Sequence, residues 1–417
     1  MAVTKKIKQN LALAASALLG EQALSAEQQA EEVELYNDWN VDVGYLYYKE
    51  ADYITVDTYM AMINGSLSDK DIVSLGLVFD TLTGSTPTGA LPGGESVTVT
   101  GVSGGGGFSA GSTGGTVPFD DTRLAINTNW NHEWQRLIRS NVSAYVSVEG
   151  DYTAVGGGIG IEKDTEDKAY TFSAAIGGSS DKVSQSSEQT PVPFSEVEDQ
   201  LYNGTGHKNT VDVLLGMTKV INQRTAAMLN LSYSRSLGYH TDPYKIISVA
   251  DEDDNEYSTV FEKRPDERER FVIYGRIVHE LPASGNHFNA SYRYYQDSWE
   301  LTSHTIETGY SFKLSEQHLL EPFGRIYQQQ AASFYERTII SGSGGTDISS
   351  DLPEYASSDP RLGEMLNITA GIKYVYKTSA TGSIDARLAY ISRQFENAVL
   401  EDRDAIFFTI DFGKGFD

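Results

Sequence analysis

Charged side chains recur at alternate positions along this chain, and that spacing decides what chemistry they could do. Glu149, Asp212, Arg276, Glu280, Arg293, Asp297, Glu307, Glu321, Arg325, Lys373, Asp385, Arg387, Arg393 and Asp411 all fall in runs where every second residue is apolar. Period-two alternation puts the charges on one face of a strand and the apolar residues on the other. Such a polar face can line a water-filled passage and select solutes by charge. It can also form a self-neutralising network of ion pairs, and the interspersed signs favour that second arrangement.

Denser groupings point to less. Asp297, Trp299, His304 and Glu307 surround one tight turn, and a carboxylate–histidine set can hold a metal. His304 shares its parity with Ile306 rather than Glu307, so a turn clamp is expected instead. The run DEDDNE, residues 251–256, offers Asp251, Asp253 and Asn255 as oxygen ligands for Ca²⁺. It lacks the glycine and terminal glutamate of an EF-hand loop, so a solvated acidic loop is expected. GGGG at 104–107 and GGGIG at 156–160 do not join a strand to a helix, which argues against phosphate binding. The GxSxG strings at 101–105 and 107–111 lie inside the Gly-rich loop and not at a strand-to-helix elbow, so no nucleophile motif is marked, although a Ser-His-Asp set spread over several strands stays open. No catalytic residue, metal or cofactor is expected, and the chain reads as a non-enzyme.

The charges need strands to carry them. About sixteen alternating runs of roughly ten residues can be marked, the repeat of an outer-membrane barrel. The first cover Val41–Lys49, Thr55–Ile63 and Asp71–Asp80, with the turn NGSLSDK between the last two. Arg123–His132, Ser140–Glu149, Tyr152–Glu162, Ala169–Ser179, Thr210–Val220, Thr225–Gly238 and Phe271–Glu280 follow. Three runs fill 287–335, and Leu366–Lys377, Ser383–Gln394 and Ala405–Gly413 complete the set. Short turns (HEWQRLIR, KDTED, INQR, LPASGN, LSEQ, TSATG) mostly alternate with long loops at 81–121, 181–208, 241–267 and 336–364. That asymmetry is expected when short turns face the periplasm and long loops face outside.

Charge and composition narrow the setting. With 58 acidic against 32 basic residues, the net charge is -26, which disfavours nucleic-acid partners. No cysteine is present, so disulfides and thiolate metal sites are excluded. Lys5, Lys6 and Lys8 precede the apolar LALAASALLG, with Ser25–Ala26 beyond, the pattern of a secretory signal peptide. The expected organisation is therefore a signal peptide over 1–26, a periplasmic segment over 27–40 and a barrel over 41–417.

A soluble β-sandwich also alternates, but its strands cluster near about five or six residues. The long runs, their polar Asn, Ser, Gly and Arg faces, and the aromatics Tyr45, Tyr47, Trp130, Tyr233, Tyr374, Tyr376 and Phe412 towards strand ends favour a barrel in lipid. The expected fold is all-β, a transmembrane antiparallel up-and-down barrel in the outer membrane of a Gram-negative cell.

The stretches YRYYQDSWELTSHTIE, LEPFGRIYQQQAASFY, VFDTLTGSTPTGA, EGDYTAVGGGIG and EKRPDERER resemble the bacterial family named domain of unknown function 3570. The resemblance runs from about Val41 to the C-terminus and implies an outer-membrane β-barrel with no assigned substrate and no catalytic residues. Many barrels end on an aromatic that the assembly machinery reads; here Phe412 is followed by GKGFD, so Phe416 is the candidate substitute. The expected function is a channel, porin-like or transport-associated. The alternative is a structural or docking barrel for a periplasmic or surface protein, its lumen plugged by the charge network. Expected partners are outer-membrane lipid, lipopolysaccharide and the barrel assembly machinery.

Overall fold

The computed structural model describes residues 39–51, 53–91, 97–99, 108–110, 116–185, 189–379, 381–399 and 402–416. The expected signal peptide and most of the 27–40 segment lie outside these residues. Trp39 and Asn40 already belong to the first strand.

Sixteen strands form one closed barrel in sequence order. They are β1 (Trp39–Glu50), β2 (Ile54–Ser68), β3 (Asp71–Pro87), β4 (Thr116–Gln135), β5 (Ile138–Val148), β6 (Tyr152–Asp164), β7 (Tyr170–Val183) and β8 (Gly206–Asn222). Then come β9 (Thr225–Gly238), β10 (Glu267–Glu280), β11 (His287–Asp297), β12 (Thr302–Lys313), β13 (His318–Gln329), β14 (Glu364–Ser379), β15 (Gly382–Glu396) and β16 (Arg403–Phe416). Each pairs antiparallel with its neighbour, and β1 closes on β16 from Trp39↔Phe416 to Glu50↔Ala405. Closure leaves no row of unpaired backbone groups, which lipid would not tolerate. No described helix is long and apolar enough to cross a membrane.

The alternation of sequence becomes the two faces of the wall. Along β12, Ser303, Thr305, Gly309 and Ser311 are buried inside, while His304, Ile306, Thr308 and Phe312 are exposed outside. The outer face carries Ile159, Val155 and Ile306 at 55% exposure or more. Such a surface suits hydrocarbon and would drive aggregation in water. Aromatic clusters gather at both rims of that surface. At the short-turn end, His132 lies 5.7 Å from Trp130 and 4.5 Å from Trp134. His318 there stacks on Tyr374 and Tyr376. At the other rim, Tyr45 packs on Tyr59 and Tyr294 on His304.

Most strands run past the sequence-based limits. The wall of β3 and β4 extends from Asp80 to Pro87 and back from Arg123 to Thr116. NGSLSDK shrinks to a turn at 69–70, and HEWQRLIR to one at 136–137. β10 begins at Glu267 rather than Phe271. The reason is physical: beyond the lipid band the outward positions turn polar, so alternation fades while the hydrogen-bond ladder continues.

The larger departure concerns the long connections, at 88–115, 184–205, 239–266 and 330–363, all at one end of the barrel. They read as loops, yet their described parts fold together into a cap. Ile246–Ala250 and Glu256–Phe261 form a hairpin, and Ile339–Ile340 adds a parallel strand. Ile247, Val249, Val260, Ile339 and Ala356 are buried together, with Phe194 and Leu352 packed against them. A second cluster of Trp299, Leu301, Ala332, Phe334 and Leu362 ties the cap to the β11–β12 turn. The first loop is stitched in as well: Ile246 donates its N–H to the Thr88 carbonyl (3.0 Å), and Leu91 donates to Ser248 Oγ (3.0 Å). Gly89 has φ +100°, and a Cβ there would lie 2.0 Å from Ser358 Oγ, so glycine is required at this crossing.

Candidate functional site

Beneath the cap, against the inner wall of β10–β13, lies a cavity of about 360 Å³. The wall contributes Arg268, Arg293, Tyr295, Ser303, Thr305, Arg325, Tyr327 and Gln329. Leu301, at the β11–β12 turn, and the cap residues Arg264, Asp359, Arg361 and Leu362 complete the lining. Five arginines thus face one space with a single carboxylate.

The strands place the wall residues by register. Arg293 on β11 lies opposite Thr305 on β12, and Thr305 lies opposite Tyr327 on β13. Arg325 sits two positions along β13, opposite Glu307. Arg268 is fixed on the other side by Asp297, at 2.6 Å, and lies 4.1 Å from the centre of the Trp299 ring. Asp297 is therefore engaged rather than a free lumen charge. Its other oxygen accepts from the N–H groups of Trp299 and Leu301 and shapes the turn.

The cap side is an ionic network with Glu262, Asp359 and Arg264 buried and Arg361 exposed at its edge. Arg264 Nε lies 2.6 Å from Glu262, and its other nitrogen 2.8 Å from Asp359. Arg361 bridges Asp359 and Asp242. Burial by itself would raise the Asp359 carboxyl, but the charges of Arg361, Lys245 and Arg264 overturn that and hold it well below the usual carboxylate range. Burial pushes Glu262 up, with Arg264 opposing it. The three cations Arg264, Arg361 and Lys245 balance Glu262, Asp359 and Asp242. Asp359 is its shared member, so removing it would take a buried carboxylate from both Arg264 and Arg361.

Two further cavity arginines, Arg293 and Arg325, come from the wall strands. The Nε atoms of Arg293 and Arg325 are buried and find no hydrogen-bond partner among the described residues.

The other charged positions separate into groups. Arg276, Asp212 and Glu280 lie at inward-facing positions of β10 and β8. Glu321 accepts from Asn289 (3.0 Å) and from Ser311. Along the ladders Glu321 stands opposite Lys373, and Lys373 opposite Arg387. Arg387 lies over the Phe323 ring at 5.1 Å. Asp385 and Asp411 are cross-strand neighbours. Arg393 and Arg403 share Glu50 near the cap end. Glu149 is displaced from its expected strand: β5 ends at Val148, and Glu149 sits in the following turn. Its carboxylate converges with those of Asp121 and Asp151, with oxygens within 4.8 Å. Burial raises Glu149 to about 7, Arg123 opposing.

The two metal candidates weighed on sequence come apart. His304 points outward and hydrogen-bonds Tyr292 (2.8 Å), while Asp297 and Glu307 sit at inward positions of the wall. In 251–256, Asp251 accepts from its own turn, from Asp253 and Asn255. Asp254 is taken by Arg337 at 2.7 and 2.8 Å.

Sequence reasoning missed Arg264, Arg268 and Arg361. Arg268 was lost because β10 was begun too late. The alternation of Glu267 and Glu269 with Arg268 and Arg270 was its only signal. Arg264 and Arg361 have no periodic signal, since folding of the cap brings them in.

No curated protein matches this sequence. Among solved structures, the chain resembles a bacterial polysaccharide outer membrane secretin at TM-score 0.48 and 9% identity, covering 92% of this chain and 100% of that one. It resembles the CymD monoaromatic hydrocarbon channel at 0.42 and 8%, covering 95% and 93%. It resembles OccK5 (OpdH) of Pseudomonas aeruginosa at 0.42 and 9%, covering 90% and 97%. Likeness at this level is silent on what each barrel carries. A family model described as protein of unknown function (DUF3570) matches residues 8–405, nearly the whole chain, and this protein belongs to that family.

Proposed function

We propose that this protein is an outer-membrane channel for small solutes whose outer mouth is closed by its own folded cap. The observation that carries the reading is the cavity itself, a polar space on the inner wall directly under the cap. A purely structural wall has no need of a cavity with fixed, desolvated donors. On this reading residues 1–26 are an export signal. The outward apolar band meets outer-membrane lipid and lipopolysaccharide, and the assembly machinery inserts the barrel. The inward charges below the cavity line the passage, with Glu321, Lys373 and Arg387 in one row.

The cap also supports the docking alternative, because a closed mouth offers an ordered surface to a partner protein. One experiment separates the two. The purified barrel is placed in planar bilayers beside Val249→Asp, which puts a charge at a position with 0% exposure inside the cap and leaves the wall untouched. The channel reading expects small conductance from the native barrel and a several-fold rise in the variant. A variant that inserts, shows the folded migration of an intact barrel and still does not conduct sinks it.

A further inference from the structure

We propose that the cavity beneath the cap is a binding site for a small oxyanion, a carboxylate or phosphate-bearing solute, held by Arg293 and Arg325. The inference rests on the channel reading for its physiological sense, and it names the solute class.

The surroundings argue for an anion. Most of the cavity's arginines already have carboxylates: Arg268 has Asp297, Arg264 has Glu262 and Asp359, and Arg361 has Asp359 and Asp242. Arg293 and Arg325 remain, each with a buried Nε that no described group satisfies. A buried donor without an acceptor costs free energy, and an oxyanion is the group that relieves it. The guanidinium fork fits two oxygens of a carboxylate or phosphate side by side. Thr305, opposite Arg293 and diagonal to Arg325 on the strand between them, adds a hydroxyl. Glu307 is the one carboxylate directly opposite Arg325, and it does not line the cavity. Asp359 does line it but is committed to Arg361 and Arg264.

The chain as a whole argues against an accidental positive patch. Its net charge is -26, so its general field repels anions. A basic pocket inside such a protein is local and specific. Its volume, about 360 Å³, lies at the small end of ligand sites and suits a small anion rather than an oligosaccharide.

The test is titration calorimetry on the full barrel in detergent, with inorganic phosphate, succinate and, as a dication control, putrescine. At least one anion is expected to bind, and putrescine is not. Phosphate alone, succinate alone or both would identify the source of the oxyanion. The double variant R293Q/R325Q is expected to bind at least tenfold more weakly. Arg235→Gln, at an outward position of β9, is the control and should bind as the native barrel does. Should the double variant fail to show folded migration, Arg325→Lys keeps the charge but loses the fork and is expected to weaken binding too. Equal binding by native barrel and R293Q/R325Q overturns the proposal, as does putrescine binding as well as the anions or absence of any binding. Conductance of Val249→Asp is read separately. Conduction without anion binding removes this site alone, whereas anion binding without conduction removes only the channel.

Discussion

Ile306 in the wall and Ile247 in the cap are the same side chain with opposite fates. Ile306 is 55% exposed on the outer face, and Ile247 is 0% exposed in the cap core. The wall is organised inside out relative to a soluble protein, with polar groups within and apolar groups outside. The cap is organised as a soluble protein is, with an apolar core and charged edges. Two solvents therefore act on one chain. Lipid fixes the wall's outer face through insertion, and water fixes the cap through burial.

The comparison can be broken most sharply at the cap's ion network. Asp359→Ala takes away the buried carboxylate shared by Arg264 and Arg361, which keep Glu262 and Asp242, and breaking such a buried pair costs up to about 3–5 kcal/mol. Limited proteolysis should then cut 330–363 readily while the wall keeps its folded migration; equal protection in native and variant barrels would show the cap does not depend on the network.

Next in size is the exchange of the two isoleucines. Ile247→Ala should cost the cap about 2–5 kcal/mol through the cavity it leaves. Ile306→Arg should cost the wall about 2–4 kcal/mol if it lies near the bilayer midplane. Hydrogen exchange should report the first only in 239–266 and 330–363, and refolding into vesicles should report the second only as lost insertion. An effect of either on the other region would mean the two do not fold separately.

A smaller effect is expected from pH. His240 hydrogen-bonds Ser236 and the Gly238 carbonyl and lies edge-on to Trp299. Burial lowers its pKa from 6.5 to about 4, with the charges of Lys208, Arg268 and Arg270 acting the same way and the Gly238 carbonyl opposing. The unfolded cap then binds the proton more readily, so this contribution is present above about 6.5 and lost as pH falls towards 4. Glu149 has the opposite sign: burial raises it from 4.5 to about 7, so its contribution is present below 4.5 and lost as pH rises through 7. Proteolysis of the cap across pH 4–8 checks both. His240→Gln should flatten the acid side alone.

The smallest effect is predicted at the exposed pair of Arg337 and Asp254, 32% and 43% exposed. Water screens such pairs, so Arg337→Ala should leave the cap's proteolysis unchanged. A measurable opening there would mean that the cap is held at its rim as well as its core.

The wall was legible because lipid and lumen impose opposite demands on neighbouring residues. Alternation in His287–Asp297 and Thr302–Lys313 is enough to mark strands and to put Arg293 and Glu307 on one face. Strand ends were less legible, since outside lipid both faces of β4 and β10 are wet and no contrast is left to read. The cap was missed for another reason. Ile246–Ala250 is buried throughout and Glu256–Phe261 over its last three residues, so neither alternates cleanly, and the acidic turn between them dominates 241–267. Their β-branched runs around a turn were the available signal.

By itself, then, the sequence determined the barrel: strand number, antiparallel order, which residues face lipid, and the inward position of Arg293 and Arg325. These follow from local alternation, a property carried by adjacent residues. Only the tertiary structure decided that the described parts of the long connections fold together. It also decided that Asp297 is taken by Arg268, and that Arg264 and Arg361 meet Arg293 and Arg325 around one cavity. Those contacts join residues far apart in the chain, 95 positions for Arg264 with Asp359 and 157 for Leu91 with Ser248, and no local pattern records such a distance.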